Sequence, residues 1–148
     1  MPYRSQLSAV LLLRTLHEEE AFREWGLAKD SLASEKQRLC RLHERLQSTL
    51  DDLAEKQEHL VSADEITIYF RFIDNLREGI TGQQKIVDHQ EAICEGKRGL
   101  LEMAVKEKKS VEQIEEKRRS GYFMARFKKE QTELDELGGQ LKLRRGNE

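Results

Sequence analysis

Leucines recur every seven residues through the first part of the chain, at Leu32, Leu39, Leu46, Leu53 and Leu60. A second ladder follows at the same spacing, through Ile66, Ile73, Ile80, Val87, Cys94 and Leu101. A seven-residue apolar repeat marks a helix that buries one narrow stripe against another helix. The two ladders are out of phase, because the step from Leu60 to Ile66 is six residues. The seam therefore breaks at Val61-Ser62-Ala63-Asp64, and the chain can fold back there. Ser62 or Asp64 can cap the new helix, since a short oxygen side chain accepts the orphaned amide hydrogens of the first turn. Asp64 and Glu65 also put negative charge at the positive end of that helix.

The pattern predicts an all-α fold, an elongated antiparallel two-helix coiled-coil hairpin forming a single domain over 1–148. The first helix covers 6–61, the turn 62–65 and the second helix 66–137, with a frayed tail over 138–148. Ser5 is placed to cap the first helix, which at about 1.5 Å per residue is a rod of roughly 80 Å. Its stripe begins with Leu7, Val10 and Leu11 and continues through Phe22, Trp25 and Leu32. In the second helix Gln83, Gln90 and Lys97 fall on the seam, where polar residues weaken a coiled coil but restrict its register. From Lys106 onward the seam thins to Val111, Ile114 and Tyr122, and Gly138-Gly139 has the chemistry of a helix end.

The arms of such a hairpin are unequal. Residues beyond Ser120 have no partner within the chain, and they include Tyr122, Phe123, Met124 and Phe127. Exposed apolar side chains gathered on an unpaired helix mark an interaction site. A turn at Gly79-Ile80-Thr81-Gly82 would equalise the arms. The ladder Ile66, Ile73, Ile80, Val87 runs straight through those glycines and favours the earlier reversal.

Composition narrows the function. Charged residues make up 36% and hydrophobic residues 37% of the 148, so the chain can bury a thin seam but not a thick core. The one proline is Pro2, which leaves the body free for continuous helix. A net charge of −2 argues against a nucleic-acid-binding module, although residues 117–148 are locally basic. No apolar run approaches the roughly 20 residues needed to span a bilayer. Ala9 to Leu13 is too short for a signal-peptide core, and three glutamates follow where small residues belong. A cytoplasmic protein is expected. Cys40 and Cys94 do not make a disulfide framework and are expected as thiols filling small gaps near one another across the seam.

Catalytic chemistry is missing from the sequence. No glycine-rich phosphate loop is present, and His17, His43, His59 and His89 have no metal-ligand spacing. A two-helix rod also lacks a concave pocket to desolvate a substrate. The expectation is a protein-binding hairpin with no catalytic residue, no metal and no cofactor.

Three stretches go further. Tyr69, Phe72, Ile73, Leu76 and Ile80, just after the turn, resemble the middle signature of the flagellar export protein FliJ family. Glu130-Gln131 followed by Asp135-Glu136 is similar to that family's closing stretch. Tyr3-Arg4 with Leu7, Val10, Leu11 and Arg14, then Glu19-Glu20-Ala21, is similar to its opening. The resemblance covers nearly the whole chain and implies an antiparallel coiled coil similar to the central stalk of rotary ATP synthases.

It also implies partners. The paired ends would insert into the hexameric ring of the export ATPase, in company with its regulator, and promote ring assembly and activity. Leu7, Leu11 and Arg14 would form one part of that ring-binding end; Tyr122, Phe123, Phe127, Gln131, Asp135 and Glu136 would form the other. The half near the turn would contact the cytoplasmic linker of the membrane export gate through Phe72, Leu76, Gly79 and Gln83, with Leu42 opposite on the first helix. Arg45 and Thr49 stand where some members carry aromatics. Export chaperones would be bound and recycled. The protein would be peripheral at the cytoplasmic face of the inner membrane only through these partners. The same features fit the equivalent stalk of a virulence secretion system, or a generic adaptor coiled coil.

Overall fold

A computed structural model describes residues 3–59 and 62–146. Among these residues there are two α-helices and no strand: α1 spans Ser8–Glu58 and α2 spans Ala63–Gly146. The helices pack against each other as an antiparallel coiled-coil hairpin. Ser5 accepts the Leu7 amide on its Oγ at 3.1 Å ahead of α1. At the start of α2, Ser62 Oγ accepts the Glu65 amide at 3.3 Å. Ser62-Ala63-Asp64-Glu65 has the serine-to-glutamate spacing of a capping box, which satisfies amides that the first turn cannot pair internally.

The chain reverses between Glu58 and Ala63, and α2 runs unbroken through Gly79 and Gly82. The predicted bounds shift in three places. Helix α2 already includes Ala63–Glu65, because its cap is Ser62. Leu60 and Val61, the last expected residues of the first helix, lie outside the described residues. Gly138-Gly139 does not end α2, which continues to Gly146. No described glycine has a positive φ, so no left-handed cap forms. The flanking Glu133 to Leu137 and Gln140 to Lys142 are mostly good helix formers, and they carry the helix across two residues that each cost about 1 kcal/mol.

The contacts divide the chain into two compact units. One is Glu19–Glu102, the turn unit; the other joins Met1–Glu18 with Met103–Glu148, the terminal unit. In the turn unit Ile73, at 2% exposure, and Leu53, Leu76, Val87 and Ala28 are buried. Leu32, Leu39, Leu42 and Leu46 are half-buried against them. The inward positions alternate by three and four along both helices, as knobs-into-holes packing requires. Gln83 is also buried. Its Nε2 donates to the Glu35 backbone carbonyl at 3.0 Å and to the Glu35 carboxylate. A polar seam residue that finds both partners on the facing helix pins one register, since any slip would bury the amide unpaired.

Two aromatic and thiol placements differ from expectation. Phe22 is exposed, and Ala21 takes the inward position, while Phe22 rests on Trp25 at 6.1 Å. Trp25 is half-buried with the Lys29 ammonium 4.2 Å from its ring. Cys40 is exposed on the surface rather than filling a gap, and Cys94 is half-buried in the seam; both are free.

The terminal unit is built differently. Ala104 is buried, but the next inward positions are Lys108, Val111, Glu115 and Tyr122, facing Leu11, Arg14 and Glu18. Ile114, expected on the seam, is exposed; the alternation by three and four selects Glu115 instead. Ion pairs therefore replace apolar layers: Arg14 holds Glu107 at 2.7 Å, and Lys108 lies 3.7 Å from Glu18. Half-exposed pairs of this kind are screened by salt, whereas apolar burial is not. Raising the salt to about 1 M should speed amide hydrogen exchange over 8–18 and 104–120 several-fold and leave 66–87 unchanged, since the turn unit's ion pairs across the seam, Lys36–Glu91 and Lys97–Glu24, lie beyond that stretch. Equal changes in both stretches would contradict this division.

Candidate functional site

Near the turn, Phe72 lies one residue off the ladder of Ile66, Ile73 and Ile80, so its ring emerges on the flank of the hairpin. It is 39% exposed, and the Arg45 guanidinium sits 5.6 Å from its centroid. Gly79, one heptad further on, is exposed, and a side chain added there would meet nothing within 4 Å. Phe72 and Gly79 thus share an open face. Leu76 and Gln83 do not belong to it. Leu76 is 7% exposed and Gln83 is engaged with Glu35, so both face α1 as seam residues. Their heptad positions put them on the ladder of Tyr69, within the seam. Leu42 is half-buried on α1.

A second surface begins where α2 leaves its partner. Tyr3, in the segment before α1, packs on Tyr122 with ring centroids 5.3 Å apart, and Phe123 meets Tyr122 edge-on at 5.5 Å. Partial burial, a hydrogen bond donated to Glu115 and the charge of that carboxylate all raise the Tyr3 phenol above its ordinary value of 10.0. The raised value means that this hydrogen bond supports the folded clasp below the ordinary phenol pKa and is lost as pH rises through the higher one. Tyr122 is therefore half-covered by the N-terminal segment and is not bare, as a fully unpaired helix would require.

Beyond it the picture changes. Every described residue from Phe123 to Gly146 is exposed, Phe127 to 64%. A cleft open to solvent is lined by Tyr3, Leu11, Glu115, Phe123, Met124 and Phe127. Gln131, Asp135 and Glu136 lie further along the same helix, exposed. Leu7 and Leu11 are half-buried, and Arg14 is tied to Glu107. The sequence reading missed Leu134, Leu137 and Leu141, which are exposed on this extension. The signal was present, because Phe127, Leu134 and Leu141 repeat every seven residues.

Among the described residues no group of three or more His, Cys, Asp or Glu could hold a metal ion. No helix is long and apolar enough to cross a membrane among these residues. The arrangement is a coiled-coil hairpin that displays apolar and charged faces.

A family described as flagellar FliJ protein matches residues 3–147. The chain therefore belongs to the FliJ family, whose members are non-enzymatic components of the flagellar type III export apparatus. Curated proteins give no match. The solved structure of a putative YscO homolog from Chlamydia trachomatis is similar over 99% of both chains, at 16% identity and a TM-score of 0.47.

Proposed function

We propose that this protein is the stalk of a flagellar export ATPase. Its terminal unit inserts into the hexameric ring and promotes ring assembly and turnover. Its turn unit meets the cytoplasmic linker of the membrane export gate through the face of Phe72 and Gly79. Export chaperones are bound and recycled on the same hairpin. The chain contributes no catalytic group and needs no cofactor; it works in the cytoplasm and reaches the inner membrane only through partners.

One observation carries this reading. Helix α2 projects an extension, Phe123 to Gly146, whose residues are all exposed and among which large apolar side chains recur. Most helical stability in proteins comes from packing of one face against a partner, which this extension lacks within the hairpin, and exposed apolar stripes usually mark contact surfaces. A cavity in a partner ring would cover both.

The test is co-sedimentation with the purified flagellar export ATPase and its regulator. The intact chain should bind and raise ATP hydrolysis. A chain ending at Ser120 should lose binding by about two orders of magnitude, the scale on which loss of two or three anchors acts, while the Phe72 face still binds the isolated gate linker. Full ATPase binding by the shortened chain would refute ring insertion through the extension.

A further inference from the structure

The apolar residues of the extension are not an unfinished continuation of the hairpin seam. Carrying the seam forward from Glu115 and Tyr122 by steps of three and four reaches Ala125, Lys129, Thr132 and Glu136. Apart from Met124 and Leu143, the large apolar residues instead fall at Phe123, Phe127, Leu134, Leu137 and Leu141, all exposed. At 3.6 residues per turn this second stripe lies roughly 140° round the helix from the seam. Its own spacing also alternates by three and four, through 123, 127, 130, 134, 137, 141 and 144. That is the spacing of a coiled-coil face, whose natural occupant is another helix.

The polar residues on the stripe select which helix. We infer that two copies of this chain pair through their extensions, antiparallel, with Leu134 of one copy against Leu137 of the other at the centre. A parallel pair would stack Glu130 on Glu130 and Arg144 on Arg144 inside the seam, two like-charge layers. An antiparallel pair shifted one heptad toward the hairpin would oppose Glu133 to itself across the two-fold axis and Lys117 to Arg145. In the proposed register no like charges oppose each other. Arg144 lies over Phe127 of the other copy and within one turn of its Glu130, which in the single chain holds Arg126 at 3.4 Å. Glu133 meets Gln140 on one flank, and Met124 meets the stem of Arg145 on the other. An isologous contact of this kind closes on itself and gives a dimer, not a filament.

The inference does not depend on the export reading, but it has a consequence for it. The paired extension is covered, so ring entry requires the dimer to separate, and ring binding and pairing compete for the same stripe.

Light scattering on the full chain should give 17.3 kDa at high dilution, rising to twice that with concentration. Leu134→Glu with Leu137→Glu should hold the chain at the lower mass with its helical circular dichroism retained, since both side chains are exposed in the hairpin. Spin labels read the orientation, placed by Lys128→Cys or Asp135→Cys in a chain with Cys40→Ala and Cys94→Ala. Across the proposed dimer the labels at 135 should lie close together, and those at 128 should be separated by about 22 Å along the axis. A single mass at all concentrations, a dimer that survives both glutamates, or short distances at both labels would each overturn the proposal. Loss of ATPase binding with the dimer intact would count against the export reading alone.

Discussion

Replacing Ile73 by alanine is expected to lower stability by about 3 kcal/mol, within the range for deleting buried aliphatic side chains. Ile73 is the most fully buried apolar residue of the turn unit. A seam between only two helices has no second layer of apolar residues to collapse into the space left behind. For a chain of this length each kcal/mol moves the melting temperature by roughly 2–4 °C, so the transition should fall by roughly 6–12 °C. Thermal unfolding followed by circular dichroism measures it. The control is Ile114→Ala, one of the apolar residues that the seam leaves outside; its transition should move by less than 2 °C, as surface substitutions do. If both substitutions cost the same, the inward positions assigned in α2 are wrong.

The second large effect separates two residues that sequence reasoning grouped together. Phe72 and Leu76 both resemble gate-contacting positions, but only Phe72 is available for contact. Phe72→Ala is expected to weaken binding to the isolated gate linker by at least tenfold, as loss of an aromatic anchor does, with melting barely changed. Leu76→Ala is expected to do the reverse. It should destabilise by about 2–4 kcal/mol through the cavity it opens and lower gate binding only as far as it unfolds the turn unit. Measuring both variants at a temperature where each is fully folded makes the distinction. Equal loss of gate binding from the two folded variants would return Leu76 to the contact surface, and full binding by Phe72→Ala would remove Phe72 from it.

The two halves of the seam explain why both predictions concern the turn unit. There the inward positions are mostly apolar, and removal of a buried aliphatic side chain leaves a void. In the terminal unit the inward positions include Glu115 and also Arg14, Glu18 and Lys108, whose ion pairs are half-exposed and individually worth little. A weakly held terminal unit would suit the proposed ring insertion, in which the segment exchanges its own contacts for those of a partner, and the clasp of Tyr3 on Tyr122 is of the same kind.

Much of this was legible in the sequence because a helical hairpin writes its fold in one dimension. The seven-residue spacing of Leu32 to Leu53 and of Ile66 to Leu101 set the two helices. The phase break after Leu60 set where they part, and Gln83, Gln90 and Lys97 were visible as seam polar residues from spacing alone. Tertiary structure decided the rest, for identifiable reasons. Whether Gly138-Gly139 stops a helix depends on backbone conformation, which composition does not specify. Whether Leu76 or Phe72 faces a partner turns on a difference of about 40° round one helix, and only the position of α1 resolves it. Which of Ile114 and Glu115 lies inward was settled against hydropathy by the geometry of knobs in holes, and the covering of Tyr122 came from Tyr3, more than a hundred residues away in the chain. Periodicity dictates the elements because each helix repeats itself; the faces left for other molecules follow only from which sides those helices have already used on each other.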